Sequence, residues 1–132
     1  MSAFVWTALV TVLSLFVYFW TMGQVGRARK AHGIEAPFTD GPPAFLRVMR
    51  VQANTVEQLV MFLPSLWLFA LIWGDRLAAI IGVLWPIGRV LYAVGYYAEA
   101  KKRSAGFGLA IFATMVLLVG SLIGLIRTLI GV

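Results

Sequence analysis

The chain has 132 residues, of which 61% are apolar or aromatic and only 12% are charged. A soluble domain uses about 25% charged residues, so a water-soluble globule is excluded, and with it a concealed nucleotide-binding domain. The net charge of +6, from eleven Lys/Arg against five Asp/Glu, reads in so apolar a chain as membrane topology and not as nucleic-acid binding.

Four transmembrane helices of about 20 residues would use about 80 residues and leave roughly 50 for loops and ends. The expected fold is therefore all-α: an integral membrane four-helix bundle forming a single transmembrane domain over 1–132. Residues 1–26 carry no charge, and then Arg27, Arg29 and Lys30 arrive together. A signal peptide has the opposite order, so the first helix, over roughly 2–31, reads as retained with its C-terminal end in the cytoplasm. Its aromatic residues Phe4, Trp6, Phe16, Phe19 and Trp20 are expected to face lipid or neighbouring helices.

His32–Pro43 reads as a loop, broken by Gly33, Pro37, Gly41, Pro42 and Pro43, with His32 solvated. Pro42 and Pro43 suit the first turn of the second helix, over roughly 44–73, with Thr39 or Asp40 as its cap. Gly74-Asp75-Arg76 makes a short polar turn into a third helix over roughly 76–100, which ends at Lys101, Lys102 and Arg103. A fourth helix covers roughly 104–130. Pro64 and Pro86 are expected to kink the second and third helices. Eight cations (Arg27, Arg29, Lys30, Arg47, Arg50, Lys101, Lys102, Arg103) then lie at one membrane face, and Arg76 and Arg127 at the other. That bias places both termini outside the cytoplasm.

Two polar stripes run where lipid should be. Arg47, Arg50, Asn54 and Glu57 are spaced +3, +4 and +3 on one face of the second helix, with Gln52 and Gln58 off that line. Arg89, Tyr92 and Tyr96 are spaced +3 and +4 on the third, and Arg103 follows seven residues later. Ionisable groups in a membrane cost about 2.5–3.5 kcal/mol each on insertion scales and face the bundle interior or a wet cavity. Arg50 and Glu57 could serve only to fix helix packing, and Tyr97 reads as an interfacial-belt tyrosine. Together the stripes would make a basic, tyrosine-lined pocket for a small zwitterionic anion, with Glu57 for an amine and the arginines for carboxylates. With no cysteine and one histidine, the chain offers no thiol nucleophile of its own and no metal site.

GPPAFLRVMRVQANTVEQLVMFLP (Gly41–Pro64) and the GRVLYAVGYY…KKRSAG run (Gly88–Gly106) resemble the two motifs of the MAPEG proteins, the membrane-associated proteins in eicosanoid and glutathione metabolism. RARKAHGIEAPFTDGPP (Arg27–Pro43) is similar to the first loop of the leukotriene-C synthase and microsomal glutathione transferase branch. The resemblance covers all four helices. It implies a homotrimer with glutathione between adjacent subunits, held by Arg50, Asn54, Glu57, Tyr92 and Tyr96 with help from Gln52, and with Arg47 in the same motif. Arg29 or Lys30 would reach in from the neighbouring subunit, Arg89 would support the tyrosines, and Arg103 would activate the thiol. Gln58, where the synthase branch has Tyr, and Lys30, where it has Arg, depart from the pattern. The function so implied is thiolate attack on a lipophilic electrophile, or reduction of a lipid hydroperoxide. Two alternatives are a non-catalytic glutathione- or lipid-binding member, and a small multidrug-type transporter with Glu57 as an unpaired proton-coupled carboxylate.

Overall fold

The computed structural model describes residues 2–132. After a 3-10 turn at Ser2–Phe4, helix α1 runs Val5–His32, one residue beyond the expected end, so that His32 closes the helix instead of opening the loop. Its terminus is set by Gly33, whose φ of 65° few other residues adopt. The Gly33 and Ile34 amides both donate to the Arg29 carbonyl, which closes the last turn. Arg29, Lys30 and His32 in that turn oppose the helix dipole.

Helix α2 spans Pro43–Trp73. Neither Thr39 nor Asp40 caps it: the Asp40 carboxylate accepts from its neighbour Gly41 at 2.9 Å, and the cap position is taken by Pro42. The reason is local. Pro43 in the first turn has no N–H to be capped, and the rigid proline pair carries Asp40 out of register. Helix α2 continues through Pro64 without interruption. Ser65, one residue on, donates to the Met61 carbonyl at 2.7 Å.

The third span departs from a single helix. It divides into α3 (Asp75–Gly82) and α4 (Leu84–Ala98), and it is followed by a 3-10 turn at Ala100–Arg103. Pro86 is the cause of the break, since it cannot donate to the carbonyl four residues earlier, that of Gly82. The break falls at Val83, whose backbone dihedrals stay helical. Helix α5 completes the chain at Ser104–Leu129.

Four stretches are long and apolar enough to cross a bilayer: Val5–His32, Pro43–Trp73, Asp75–Ala98 and Ala100–Leu129. The packing fixes which ends meet. Asp75 at the start of α3 accepts from the backbone amides of Trp6 at 3.1 Å and Thr7 at 2.7 Å, so it caps α1 from another helix. At the same end, Arg127 of α5 lies over the Trp73 ring of α2 at 5.6 Å. The eight clustered cations therefore share the opposite, basic end.

The core joins α2, α3, α4 and α5. The Phe62 and Trp85 rings stack at 4.6 Å over buried Leu66, Ala110, Ala113 and Leu117. Nearer the basic end, α4 and α5 touch backbone to backbone. A Cβ on Gly88 would stand 2.8 Å from both the Gly106 carbonyl and the Ala110 amide, and one on Gly106 would collide with the Tyr92 amide. Small residues at such crossings let membrane helices approach closely. Here the approach sets Tyr92 beside the start of α5.

Candidate functional site

At the basic end, α2, α4 and the start of α5 enclose a cavity of about 480 Å³. Arg50 and Asn54 line it from α2, Tyr92 and Tyr96 from α4, and Arg103, Ser104 and Phe107 from the α5 side. Both helical stripes thus converge on one space, within the 300–1,000 Å³ range usual for small-molecule sites.

The walls have distinct chemistry. The Arg50 guanidinium holds the Glu57 carboxylate as a fork, at 3.3 Å and 3.4 Å, across two turns of α2. Their side chains are 51% and 56% exposed, so within one chain this pair bridges no two helices, and Glu57 itself stands beside the cavity without lining it. Nor is Glu57 the unpaired carboxylate that a proton-coupled transporter would need. Arg103 lies over the Tyr96 ring at 5.3 Å, and the rings of Tyr92 and Tyr96 are 5.5 Å apart. The Asn54 side-chain oxygen is buried with no hydrogen-bond partner among the described residues. Such an orphan beside a cavity is a place for a ligand donor.

Arg89 does not line the cavity. Its side chain is fully buried behind Tyr92, with the guanidinium 4.0 Å from the centre of that ring. It donates to Thr55 on α2 at 2.8 Å, and Thr55 in turn donates to the Val51 carbonyl at 2.7 Å. Arg89 therefore ties the tyrosine wall to the arginine wall from behind, without reaching the cavity itself. In the sequence it sits on the Tyr92 face, but three residues deeper in the bundle, where the space is filled by Trp85 and Thr55.

The remaining candidates lie outside the cavity within one chain. Gln52 donates to the Tyr18 hydroxyl on α1 at 3.1 Å. Arg29 donates to the Phe38 carbonyl at 2.7 Å and lies over the Phe45 ring, which ties it to its own loop. Lys30 is exposed, and Arg47 is half-buried with its Nε unpartnered among the described residues. Tyr97 is not a belt residue: it packs edge-on against Trp20 of α1 with its hydroxyl buried inside the bundle. Sequence reasoning missed Thr55, Ser104 and Phe107. Phe107 stands one helical turn after Arg103, a spacing that could have revealed it; Thr55 beside Asn54 carried no such signal.

A four-span membrane bundle with a cationic, phenol-lined cavity at one end is the class that fold and site define. The sequence model of the MAPEG family matches residues 7–123. Three relatives agree with it. An uncharacterized protein of Synechocystis sp. is 48% identical over 121 residues, covering 92% of this chain and 88% of that protein. Leukotriene C4 synthase of Cavia porcellus is 35% identical over 119 residues, 90% of this chain and 79% of the synthase. Microsomal glutathione S-transferase 2 of Homo sapiens is 36% identical over 104 residues, 79% of this chain and 71% of the transferase. The chain belongs to the MAPEG family, and it is an integral, multi-pass membrane protein.

Proposed function

We propose that the protein is a glutathione-dependent membrane enzyme that activates the glutathione thiol for attack on lipophilic electrophiles or lipid hydroperoxides. The observation that carries this reading is the convergence of Arg50, Asn54, Tyr92, Tyr96 and Arg103 on one cavity. The tripeptide's two carboxylates match Arg50 and a second cation, its amine matches Glu57, and an amide N–H matches the orphan oxygen of Asn54. The name of the transferase relative supports the same cosubstrate.

The chemistry follows from charge. A free thiol has a pKa of about 8.5, so little is thiolate at neutral pH. Lowering it by two units takes about 2.7 kcal/mol, at 1.36 kcal/mol per unit. One guanidinium at about 4 Å supplies about 4 kcal/mol at an effective dielectric of about 20, before desolvation. Arg103 alone is therefore sufficient, and its position over Tyr96 limits how far it strays into solvent. The thiol proton leaves to water at the cavity mouth. With an epoxide, the sulfur forms a bond to carbon while the ring C–O bond breaks and the oxygen takes up a proton. With a hydroperoxide, the thiolate sulfur bonds to the terminal oxygen as the O–O bond breaks and the other oxygen leaves, protonated, as an alcohol. The thiol of a second glutathione then displaces the sulfur-bound oxygen as water and forms the disulfide. The electrophile arrives through the bilayer. In this reading the basic end is cytoplasmic, both termini lie on the other side, and three copies assemble so that Arg29 or Lys30 of one approaches the cavity of the next.

Calorimetry with glutathione, followed by turnover with a lipophilic epoxide and a lipid hydroperoxide, tests the proposal on detergent-purified protein. Binding with turnover of either substrate is expected. Binding without any turnover would favour the non-catalytic reading, and no binding would end the proposal. Crosslinking to trimers is expected alongside.

A further inference from the structure

The side of α4 away from the cavity carries a second feature. Along the seam where α1 meets α3 and α4 run two apolar hollows of about 410 Å³ and 540 Å³. They are continuous, because Leu13 and Val83 line both. The outer hollow opens beside a more polar recess of about 680 Å³, with which it shares Trp6 and Arg76. The seam has a structural cause. Val83, at the break between α3 and α4, stands in both hollows, and the small Ala79 contributes little bulk to the wall facing α1.

We infer that this seam is a binding groove for an anionic glycerophospholipid of the bilayer, with the phosphate at Arg76 and one acyl chain along α1. Length supports it. From Trp6 at the mouth to Trp20 at the deep end is fourteen residues of α1, about 21 Å at 1.5 Å per residue. One leaflet of a bilayer with a core of about 30 Å needs only about 15 Å. Charge supports it as well. Arg76 has no carboxylate within ion-pair distance among the described residues. The carboxylate beside it, Asp75, is turned to the amides of Trp6 and Thr7. A guanidinium without a carboxylate partner among the described residues, an indole at the same mouth and an apolar trough beside them suit the chemistry of a phospholipid, anionic at one end and alkyl at the other. The groove is separate from the glutathione cavity, since α4 turns Ile87 and Leu91 toward it and Tyr92 and Tyr96 away. It does not depend on the proposed activity.

Native mass spectrometry of the full chain tests it, with phosphatidylglycerol and phosphatidylcholine of matched chains added to delipidated protein. One phosphatidylglycerol per chain is expected to bind saturably, with about fivefold preference over phosphatidylcholine, the effect of a single arginine near an anionic headgroup. Arg76→Gln should erase that preference and leave some binding. Leu13→Trp, a change at an exposed position in the shared middle of the groove, should displace both lipids. Thermal midpoints of both variants serve as the folding control. Equal, non-saturating adducts of both lipids that neither variant alters mean ordinary boundary lipid and overturn the inference. So does a groove that takes no lipid and crosslinks to a second copy through Phe16→Cys.

Discussion

The two ends of the bundle handle polar groups in opposite ways. At the Asp75 end, the carboxylate meets two amides of α1 and the Trp73 indole donates to the Gly120 carbonyl at 2.9 Å. At the basic end, the Arg50–Glu57 pair stands half-exposed, and among the described residues the Asn54 oxygen has no partner and Arg103 meets a ring and no carboxylate. The Asp75 end uses its polar groups to join helices, whereas the basic end, beside the Arg89–Thr55 and Gln52–Tyr18 links behind the cavity, also leaves polar groups facing an open space. An unpartnered buried polar atom beside a cavity is what a bound ligand would satisfy, which is the contrast that the proposed function rests on.

Substitutions that exchange the two behaviours should separate them. The largest effect is expected from Arg103→Ala, which removes the cation nearest the thiol. If it accounts for two pKa units, thiolate at neutral pH and kcat/KM both fall about 100-fold, with the thermal midpoint unchanged. Next is Gly106→Ala. Its Cβ would collide with the Tyr92 backbone, so α4 and α5 must part. Overpacking of this kind costs about 1–3 kcal/mol, read as a lower thermal midpoint together with weaker glutathione binding. Arg89→Met should act differently, because it removes a buried cation and leaves Thr55 its bond to Val51. With its backing cation gone, the Tyr92 ring is held less firmly toward the cavity, so glutathione affinity should fall severalfold by calorimetry. The fold should hold, since an apolar replacement of a buried charge is often neutral or stabilising. The smallest effect on the cavity is expected from Asp75→Asn. It should lower the thermal midpoint by weakening the cap on α1, and leave glutathione binding intact.

Most of the fold was legible because a bilayer leaves few choices. The uncharged runs and basic clusters marked four spans, and Gly33 and the Pro42-Pro43 pair marked two helix ends within a residue or two. The break at Val83 was harder to place, because a proline acts on the carbonyl four residues before it. In the site, helical spacing correctly aligned Arg50 with Asn54 and Tyr92 with Tyr96. It could not tell depth. Arg89 and Tyr92 share a face, yet one is core and the other is wall. Asp75 read as a polar turn residue, because its partners Trp6 and Thr7 lie almost seventy positions away. Periodicity reports direction around a helix, whereas partners and burial come only from the neighbours that the fold brings up.

The central claim is that the reserve of charge at the basic end ionises a borrowed thiol. Its most direct measurement is the ultraviolet thiolate absorbance of detergent-purified protein on addition of glutathione at neutral pH, compared with Arg103→Ala. The account predicts a saturable thiolate band in the native chain and its loss in the variant, with glutathione still bound. A native chain that binds glutathione and shows no thiolate, or a variant whose band is undiminished, would contradict it.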